Sequence, residues 1–586
     1  MKKTFRIIVL FSLLFLVSCN SNNEIEDANE ILNEAKTKVL LPNIVNENIQ
    51  LPTEILINNK KVLLSWDSSL KSIINNEGHF FIPEYSTEVK LTCTLTYKKE
   101  NIAKDFYLIA EGNKDFISVF DNIPDYITEE TNIQLMQTFN NYQINWINQN
   151  NVIDIDNNKI VINKYLQKHQ EQTEKIKAEI ILPSGNKILL SEDIVIAPIK
   201  FNNITAGPIA VYHSVDFTNY YKQYSERYQT DKKLFSDTTK EILDIVYYAF
   251  AEIKEDATVY IPNLSDLSEV LKLRNHDVRV VLCISGVSKQ SSINFDKITS
   301  NDELRNKFVT NIMNLVDLYR FDGVDIDWES VSEAPVKKEG MNLLMRALKI
   351  EMNQRQHEDG SAYILTCAVP ASSWGAGVDR FDFKTLNNYV DYINLMSYSL
   401  NKNDTTTHGS SLYSSQNDNG FKFGADYGVN LISSRGFPKE KIIIGGAGYG
   451  KAFKVTETST NKSYPGLGLK GKLTRISGVS GSYDSGTLLG HGIKTLLNSD
   501  KYKLYHEYDN NNNFVGSYLY SEEEQIFVTF DSQLAAEEKY KYAIKNNTGM
   551  MFWCYGEDPD DIILNTIYNL KKWNKGGFFH LYFLTE

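Results

Sequence analysis

The sequence has few cysteines, no excess of basic residues and no cysteine–histidine set with the spacing of a zinc site. Five cysteines in 586 residues are too few for a scaffold held together by disulfides. Acidic residues outnumber basic ones by 74 to 61, and the resulting formal charge of −13 argues against a nucleic-acid partner. It fits a polar, uncharged partner such as a carbohydrate. Aromatic residues make up 12% of the chain, which excludes disorder as its main property.

The N-terminal residues have the pattern of a secretion signal. Basic residues precede an apolar run over 7–17 that is too short to stay in a bilayer as a spanning helix. The run leads into Leu-Val-Ser-Cys, which resembles a bacterial lipobox ending at Cys19. We expect a lipoprotein signal peptide over 1–18, a lipidated Cys19 that anchors the chain to a membrane, and a solvated tether over 19–37. The alternative is an ordinary signal peptide with an incidental cysteine.

This pattern places the protein in the bacterial cell envelope, as an outer-membrane lipoprotein facing the surface or the periplasm. No later segment reaches about 18 continuous apolar residues, so we expect no other membrane span. A chain of this length holds about three domains, at roughly 100–200 residues per domain.

Two tandem modules of short strands follow the tether, over 38–112 and 113–200. In each module a tryptophan, Trp66 or Trp146, lies about ten residues before a strand and a hairpin-like turn. The modules resemble the small immunoglobulin-like β-sandwich domains found ahead of bacterial surface carbohydrate enzymes. A spacer is the simpler interpretation of their role, and sugar binding by exposed aromatic side chains is the alternative.

The region 205–586 alternates apolar runs with longer helical segments, which implies a parallel sheet covered on both faces. Eight such units predict an α/β fold, a (β/α)8 barrel of the TIM type. A Gly-, Ser- and Tyr-rich segment over about 454–525, after the seventh strand, is expected to be a small α+β insertion. The eight runs lie at 208–212, 242–250, 278–284, 323–326, 363–369, 391–396, 441–444 and 550–553.

The fourth run carries a dense set of acids. Because side chains alternate faces along a strand, Asp325, Asp327 and Glu329 share one face, and Glu329 lies at the C-terminal mouth of the barrel. Crowding should raise the pKa of at least one of them, as a general acid requires. The segment lacks the glycine and the downstream glutamate of a calcium-binding loop, and it has no phosphate-binding loop that would indicate a magnesium site. A purely structural cluster of acids would be costly to bury.

These acids, with Asp322, form the D-x-x-D-x-D-x-E pattern and resemble glycoside hydrolase family 18, which contains chitinases and endo-β-N-acetylglucosaminidases. The resemblance extends over about 206–571. Further segments similar to the family are 245–251 in the second strand, Met396-Ser397-Tyr398 in the sixth, Tyr449-Gly450 at the seventh, Met551-Phe552-Trp553 in the eighth, and 527–539 in the helix before it.

The resemblance implies a retaining, substrate-assisted mechanism that passes through an oxazolinium ion and needs no metal or cofactor. Glu329 would protonate the glycosidic oxygen, and the N-acetyl carbonyl of the substrate would attack the anomeric carbon. Asp327 would orient the acetamide, and Asp325 would share a proton with Asp327. Tyr398 would hydrogen-bond the acetamide oxygen, and Trp553 would form the floor of the −1 subsite.

Other side chains are candidates for substrate binding. Asp322, Met396 and Tyr449 belong to the matched motifs. For Tyr212, Phe250 and Trp374, sugar contact and packing remain equal alternatives.

Two positions depart from the family pattern. Ser399 stands where the family commonly has an aspartate after its Met-x-Tyr, and the third strand reads Cys-Ile-Ser-Gly over 283–286 instead of Ser-x-Gly-Gly. These departures leave the substrate open.

We expect a monomeric glycosidase that cleaves β-1,4 bonds next to N-acetylglucosamine in chitin or chitooligosaccharides. One alternative is an endo-β-N-acetylglucosaminidase acting on the chitobiose core of N-glycans. An alternative of another class is a surface glycan-binding protein without catalysis, which the intact Glu329 disfavours.

Overall fold

The structure is a computed structural model in which two compact units are distinguished, 1–162 with 173–195, and 163–172 with 196–586. Two predictions, the signal peptide over 1–18 and a sugar contact by Trp374, lie outside the described residues. The described residues are 19–83, 85–112, 116–139, 141–147, 152–182, 185, 187–204, 207–215, 222–329, 337–372, 377–417, 423–558 and 560–575.

The first unit begins with a helix that packs on a sheet. Helix α1 (Cys19–Lys38) carries the buried side chains Ala28, Ile31, Leu32 and Ala35 at the i, i+3, i+4, i+7 spacing of an amphipathic helix. The last three belong to the core of the first sheet, so the solvated tether predicted over 19–37 is wrong there. The sheet, in the order β1-β5-β4-β3-β2, consists of β1 (Ile44–Val45), β2 (Glu54–Ile57), β3 (Lys60–Ser68), β4 (Thr87–Tyr97) and β5 (Glu100–Ala110).

A second five-stranded sheet repeats this strand order as β6-β12-β11-β8-β7. Trp66 in β3 and Trp146 in β8 occupy matching strands, and each indole donates a hydrogen bond to a backbone carbonyl, Pro52 O at 2.8 Å and Met136 O at 2.7 Å. The immunoglobulin-like assignment stays a prediction. The strands of this sheet are β6 (Tyr126–Ile127), β7 (Thr138–Phe139), β8 (Tyr142–Trp146), β11 (Gln172–Ile181) and β12 (Lys187–Ile196). Strands β9 (Ile153–Asp156) and β10 (Lys159–Ile162) pair with each other as a separate antiparallel hairpin.

The second unit contains a closed barrel of eight parallel strands, β13, β14, β16 to β20 and β27, in which β13 pairs with both β14 and β27. Each apolar run predicted from the sequence overlaps one of these strands. The strands of this unit are β13 (Ile209–Ser214), β14 (Ile245–Ile253), β15 (Val259–Tyr260), β16 (Arg279–Ser285), β17 (Gly323–Asp327), β18 (Ile364–Pro370), β19 (Tyr392–Met396), β20 (Ile442–Ala447), β21 (Gly450–Val455), β22 (Gly471–Leu473), β23 (Thr487–Leu488), β24 (Lys503–Tyr508), β25 (Phe514–Ser521), β26 (Ile526–Phe530) and β27 (Gly549–Trp553).

Helices cover the outside of the barrel, and none of those in the described ranges is long and apolar enough to cross a membrane. In the helix Asp302–Tyr319, Asn301 accepts a hydrogen bond from the Leu304 N–H and so caps the first turn, while Phe308 and Ile312 are buried one turn apart. The helices are α2 (Glu226–Asp231), α3 (Asp237–Ile242), α4 (Leu267–Leu271), α5 (Lys289–Thr299), α6 (Asp302–Tyr319), α7 (Lys338–Arg355), α8 (Phe383–Leu386), α9 (Ala425–Ser434), α10 (Gly490–Leu497), α11 (Gln533–Asn546) and α12 (Ile562–Lys575).

The insertion after the seventh barrel strand is an antiparallel subdomain. Strands β21 to β26 form one sheet, and α10 lies between β23 and β24. Because β21 pairs with β26, the subdomain extends over 450–530 and is wider than the predicted 454–525.

The structure also changes the extent of the second β module, which was predicted over 113–200. Residues 163–172 and 196–200 belong to the barrel unit. There the Arg274 guanidinium donates to Tyr165 O at 2.8 Å and that of Arg320 to Leu166 O at 2.9 Å, so this segment is part of the barrel's own packing.

Candidate active site

Strand β17 places its acids at successive levels of the barrel interior. Asp325 lies within the strand, Asp327 ends it, and Glu329 follows at the C-terminal mouth. Between them, Trp328 points to the helices, stacks on Phe295 at 5.2 Å and donates to Ser292 Oγ at 3.0 Å. The Ser292 hydroxyl also lies 3.0 Å from the Glu329 carbonyl oxygen, so helix α5 fixes the backbone that carries Glu329.

Asp325 accepts hydrogen bonds from four other barrel strands. Tyr212 OH at 2.9 Å and Cys283 Sγ at 3.0 Å donate to Oδ2, while Thr366 Oγ1 at 2.6 Å and Asn394 Nδ2 at 3.1 Å donate to Oδ1. Burial raises the pKa of Asp325, and these hydrogen bonds act in the opposite direction. The sequence-based site included Tyr212 but missed the other three donors.

Asp327 and Glu329 have no such side-chain donors among the residues that the structure describes. Asp327 is 5% exposed, and its Oδ1 has no hydrogen-bond partner among the described residues. Burial, with the nearby charges of Glu329 and Asp325, raises its pKa well above the usual value. Burial also raises the pKa of Glu329. The pair can therefore hold a proton where free carboxyls would be ionised, as proton transfer to a leaving group requires.

Aromatic rings surround these acids. Trp553, at the end of β27, lies 5.4 Å from the Phe250 ring in a stacked arrangement and 5.4 Å from the Tyr212 ring. Tyr212 in turn stacks on Tyr247 at 4.6 Å. Tyr212 is buried and packs in the interior, whereas Trp553 and Phe250 remain partly exposed and can present a ring face to a sugar.

The sixth and seventh strands supply the tyrosines. Tyr398 follows the end of β19 at Met396, and its ring centroid lies 6.5 Å from that of Tyr449. Burial, with the Tyr449 hydroxyl and then the Asp327 charge, raises the pKa of Tyr398 well above its usual value, so it acts as a neutral donor. Ser399 forms a short hydrogen bond with the Tyr449 hydroxyl.

The structure corrects the prediction for Asp322. This carboxylate precedes β17, at the opposite end of the barrel from Glu329, and is 0% exposed. It pairs with Arg274 Nη2 at 2.9 Å, lies 3.0 Å from His169 Nε2 and accepts the Val280 N–H at 2.8 Å. Although burial acts to raise it, these partners hold the pKa of Asp322 below its usual value. Asp322 cannot contact substrate, because its oxygens are occupied and enclosed.

Metal ligation has no support in the described ranges, where no group of three or more His, Cys, Asp and Glu side chains could hold a metal ion. The site consists instead of buried carboxyls with raised pKa values beside tyrosines and an open tryptophan ring. A closed parallel barrel with such a site at its C-terminal mouth fits the class of barrel glycosidases.

Residues 216–558 match the family model described as Glycosyl hydrolases family 18. This match covers more than half of the chain, and the chain therefore belongs to glycosyl hydrolases family 18, as a chitinase-like glycosidase. The family resemblance inferred from the sequence is confirmed.

Similar curated proteins include Endochitinase 1 of Metarhizium robertsii, 26% identical over 60% of this chain and 83% of its own length. Chitinase 1 of Aphanocladium album is 28% identical over 48% of this chain. Sporulation-specific chitinase 2 of Saccharomyces cerevisiae is 26% identical over 51% of this chain. The matches span less than two thirds of the last two relatives, at 63% and 60% of their lengths.

Solved structures agree on the fold. The Group IV chitinase of Ostrinia furnacalis in complex with allosamidin has a TM-score of 0.51 at 19% identity and matches 62% of this chain and 99% of its own. A chitinase from Trichuris suis has a TM-score of 0.51 at 21% identity, with 62% and 99% covered.

Proposed function

We propose that this protein hydrolyses β-1,4 bonds next to N-acetylglucosamine in chitin or chitooligosaccharides. The observation that carries the proposal is the buried Asp327–Glu329 pair at the barrel mouth, with raised pKa values and no described cation beside it. The names of the related fungal and yeast chitinases support the substrate class.

In the proposed mechanism Glu329 donates its proton to the glycosidic oxygen as the bond breaks. The N-acetyl carbonyl of the substrate attacks the anomeric carbon, and Asp327 accepts the acetamide N–H and stabilises its developing positive charge. Asp325, whose charge helps to raise the pKa of Asp327, shares a proton with it, and Tyr398 donates to the acetamide oxygen. Glu329 then removes a proton from the attacking water. The intramolecular nucleophile contributes most of the rate, because it is already positioned.

A second substrate belongs to the same chemistry. The chitobiose core of N-glycans contains the same N-acetylglucosamine linkage, so an endo-β-N-acetylglucosaminidase uses the same acids. The exposed Ser399, hydrogen-bonded to Tyr449 at the mouth, gives this site a local surface on which the two substrates can be discriminated.

Turnover by a Glu329→Gln variant tests the proposal. The isosteric amide keeps the shape of the site and removes the acid, so hydrolysis of chitooligosaccharides should fall by about 10²–10⁴-fold while binding persists. Glu339→Gln, at an exposed position at the start of α7, is the matched control and should keep the wild-type rate. An unchanged rate in Glu329→Gln would refute the glycosidase assignment.

Product analysis distinguishes the substrates. The wild-type protein is incubated in parallel with chitooligosaccharides and with high-mannose and complex N-glycopeptides, and the released sugars are identified by mass. Shortened N-acetylglucosamine chains are the expected product. Release of glycans from the glycopeptides alone would favour the N-glycan alternative, and tight binding without products would favour a glycan-binding protein.

We also propose that Cys19 carries a lipid that anchors the protein in a bacterial envelope, on the strength of the lipobox-like sequence before it. Expression in a bacterium with radiolabelled palmitate should label the wild-type protein and place it in the membrane fraction. Cys19→Ser should lose both the label and the membrane association. Labelling that persists in Cys19→Ser would contradict the anchor.

A further inference from the structure

A buried ion pair lies outside the set of acids that the proposed mechanism uses. Lys539 in α11 pairs with Asp531, which directly follows β26, at 2.8 Å to Oδ1 and 2.9 Å to Oδ2. Their side chains are 0% and 1% exposed, so neither can contact a substrate. Burying two charges costs desolvation that their attraction only partly repays, so stability alone is a weak explanation for the pair.

The remaining hydrogen bonds of the pair go to the seventh barrel strand, β20, and to Ser410. Asp531 Oδ2 accepts from the Ala447 N–H at 2.9 Å and from the Ser410 hydroxyl at 2.8 Å. Lys539 Nζ donates to Ser410 Oγ at 2.6 Å and lies 3.3 Å from the Gly445 carbonyl oxygen. The backbone of β20 from 445 to 447 is therefore held from the side opposite the barrel interior.

That stretch of backbone supports Tyr398. The Gly445 N–H donates to Ser397 Oγ at 2.9 Å, and the Ser397 hydroxyl donates back to the Gly445 carbonyl at 2.8 Å. A Cβ at position 445 would lie 2.7 and 2.8 Å from two ring carbons of Tyr398. The tyrosine ring thus rests directly on the glycine backbone, with no room for a side chain between them.

We propose that Lys539 and Asp531 are positioning residues for Tyr398. They fix Gly445 and Ala447, which in turn fix the height and tilt of the tyrosine ring beside the acids. The inference rests on the proposed function, since it assumes that the Tyr398 hydroxyl acts on the substrate acetamide. A displacement of about 1 Å in a reacting group can lower the rate about 10²-fold. Because Asp531 follows the last strand of the insertion, the pair also joins the insertion's end to the site.

The test replaces both charges, because removing one would leave the other buried and uncompensated. Asp531→Asn with Lys539→Met should lower kcat on chitooligosaccharides about 10–100-fold, with KM and the thermal midpoint changed little. Lys541→Met, on the same helix but in surface ion pairs with Glu537 and Glu538, is the matched control and should keep the wild-type kcat.

A double-mutant cycle with Tyr398→Phe separates positioning from general damage. If the pair acts through Tyr398, the charge replacements should cause no further loss of kcat in the Tyr398→Phe background. If the fold-losses of kcat from the charge replacements and from Tyr398→Phe multiply in the combined variant, the inference is overturned. An unchanged kcat in the charge-replaced protein would overturn it as well.

Two further outcomes are informative. An unchanged kcat for Tyr398→Phe itself would refute the proposed role of the tyrosine and the inference with it. If kcat falls in Tyr398→Phe but not in the charge-replaced protein, only the inference is refuted. If the charge-replaced protein fails to fold, Ser410→Ala removes one hydrogen-bonding partner of the pair and leaves Lys539 and Asp531 paired with each other. It should show a smaller loss of kcat that also vanishes with Tyr398→Phe, and a loss that persists would overturn the inference.

Discussion

Asp322 and Asp327 lie at opposite ends of one barrel strand, and both are buried, at 0% and 5% exposure. Burial therefore does not separate them. Asp322 faces an arginine, a histidine and a backbone N–H, and its pKa is held low. Asp327 faces two further carboxyls, and its pKa is raised well above the usual value. The same residue type thus forms a stabilising ion pair at one end of the strand and belongs to the reacting group of acids at the other.

The difference comes from the partners that each end of the barrel supplies. Near Asp322, Arg274 and His169 come from connecting segments on the N-terminal side. At the C-terminal mouth the neighbours of Asp327 are aromatic rings and acids, and no described Lys or Arg forms an ion pair with it or with Glu329. This asymmetry agrees with the division of parallel barrels into a stabilising end and a functional end.

The largest expected effect is on catalysis at the mouth. Asp327→Asn removes the carboxylate that orients the acetamide, so kcat on chitooligosaccharides should fall by about 10²–10⁴-fold. The thermal midpoint should not fall, because burial and the neighbouring acids disfavour the charged form of Asp327. Steady-state kinetics and calorimetry measure the two quantities. Asp484→Asn, at an exposed position, is the control. A fall in thermal midpoint with kcat preserved would reverse the assignment of the two ends.

The next effect is on stability at the opposite end. Asp322→Asn leaves Arg274 buried without its counter-charge, which should lower the free energy of unfolding of the barrel by about 3–5 kcal/mol. Denaturant titration measures the loss, and kcat of the folded protein should stay near the wild-type value. A variant with wild-type stability and a low kcat would show that Asp322 serves the reaction.

The smallest effect is a difference in pH dependence. Since the folded pKa of Glu329 is raised, its contribution to stability is present below the unfolded value and is lost as pH rises through the folded value. The folded pKa of Asp322 is lowered, so its contribution is present above the unfolded value and is lost as pH falls through the folded value. As pH rises, the free energy of unfolding of Glu329→Gln should therefore increase relative to the wild type, by about 1.4 kcal/mol per unit of the pKa shift. That of Asp322→Asn should decrease relative to the wild type.

Thermal midpoints measured for the three proteins across the acidic to neutral range test this divergence. Parallel curves for the two variants would mean that the two ends of the strand do not differ in their protonation.

The barrel was predictable because its strands are continuous apolar runs. The predicted run 278–284 coincides with β16 to within one residue at each end, and the acids of β17 followed from strand alternation. The predicted tether failed because polar residues between Ile31 and Ala35 obscured a helical apolar stripe.

The site was predictable only in part. Asp322 differs in parity from Asp325, so the alternation that grouped the other acids already placed it on another face. The donors Thr366 and Asn394 were missed because they come from strands distant in sequence, where only barrel closure brings them to the level of Asp325. The Lys539–Asp531 pair was missed because its partners Ser410, Gly445 and Ala447 are distant in sequence and only the fold brings them to the pair.

The anomeric configuration of the first product tests the proposed chemistry of the barrel mouth most directly. An N-acetylglucosamine oligosaccharide is hydrolysed in an NMR tube, and the new reducing end is followed before mutarotation, with Glu329→Gln as the blank. Attack by the N-acetyl carbonyl followed by water inverts the anomeric carbon twice, so the β-anomer should appear first. Initial release of the α-anomer would contradict substrate-assisted catalysis by Asp327 and Glu329.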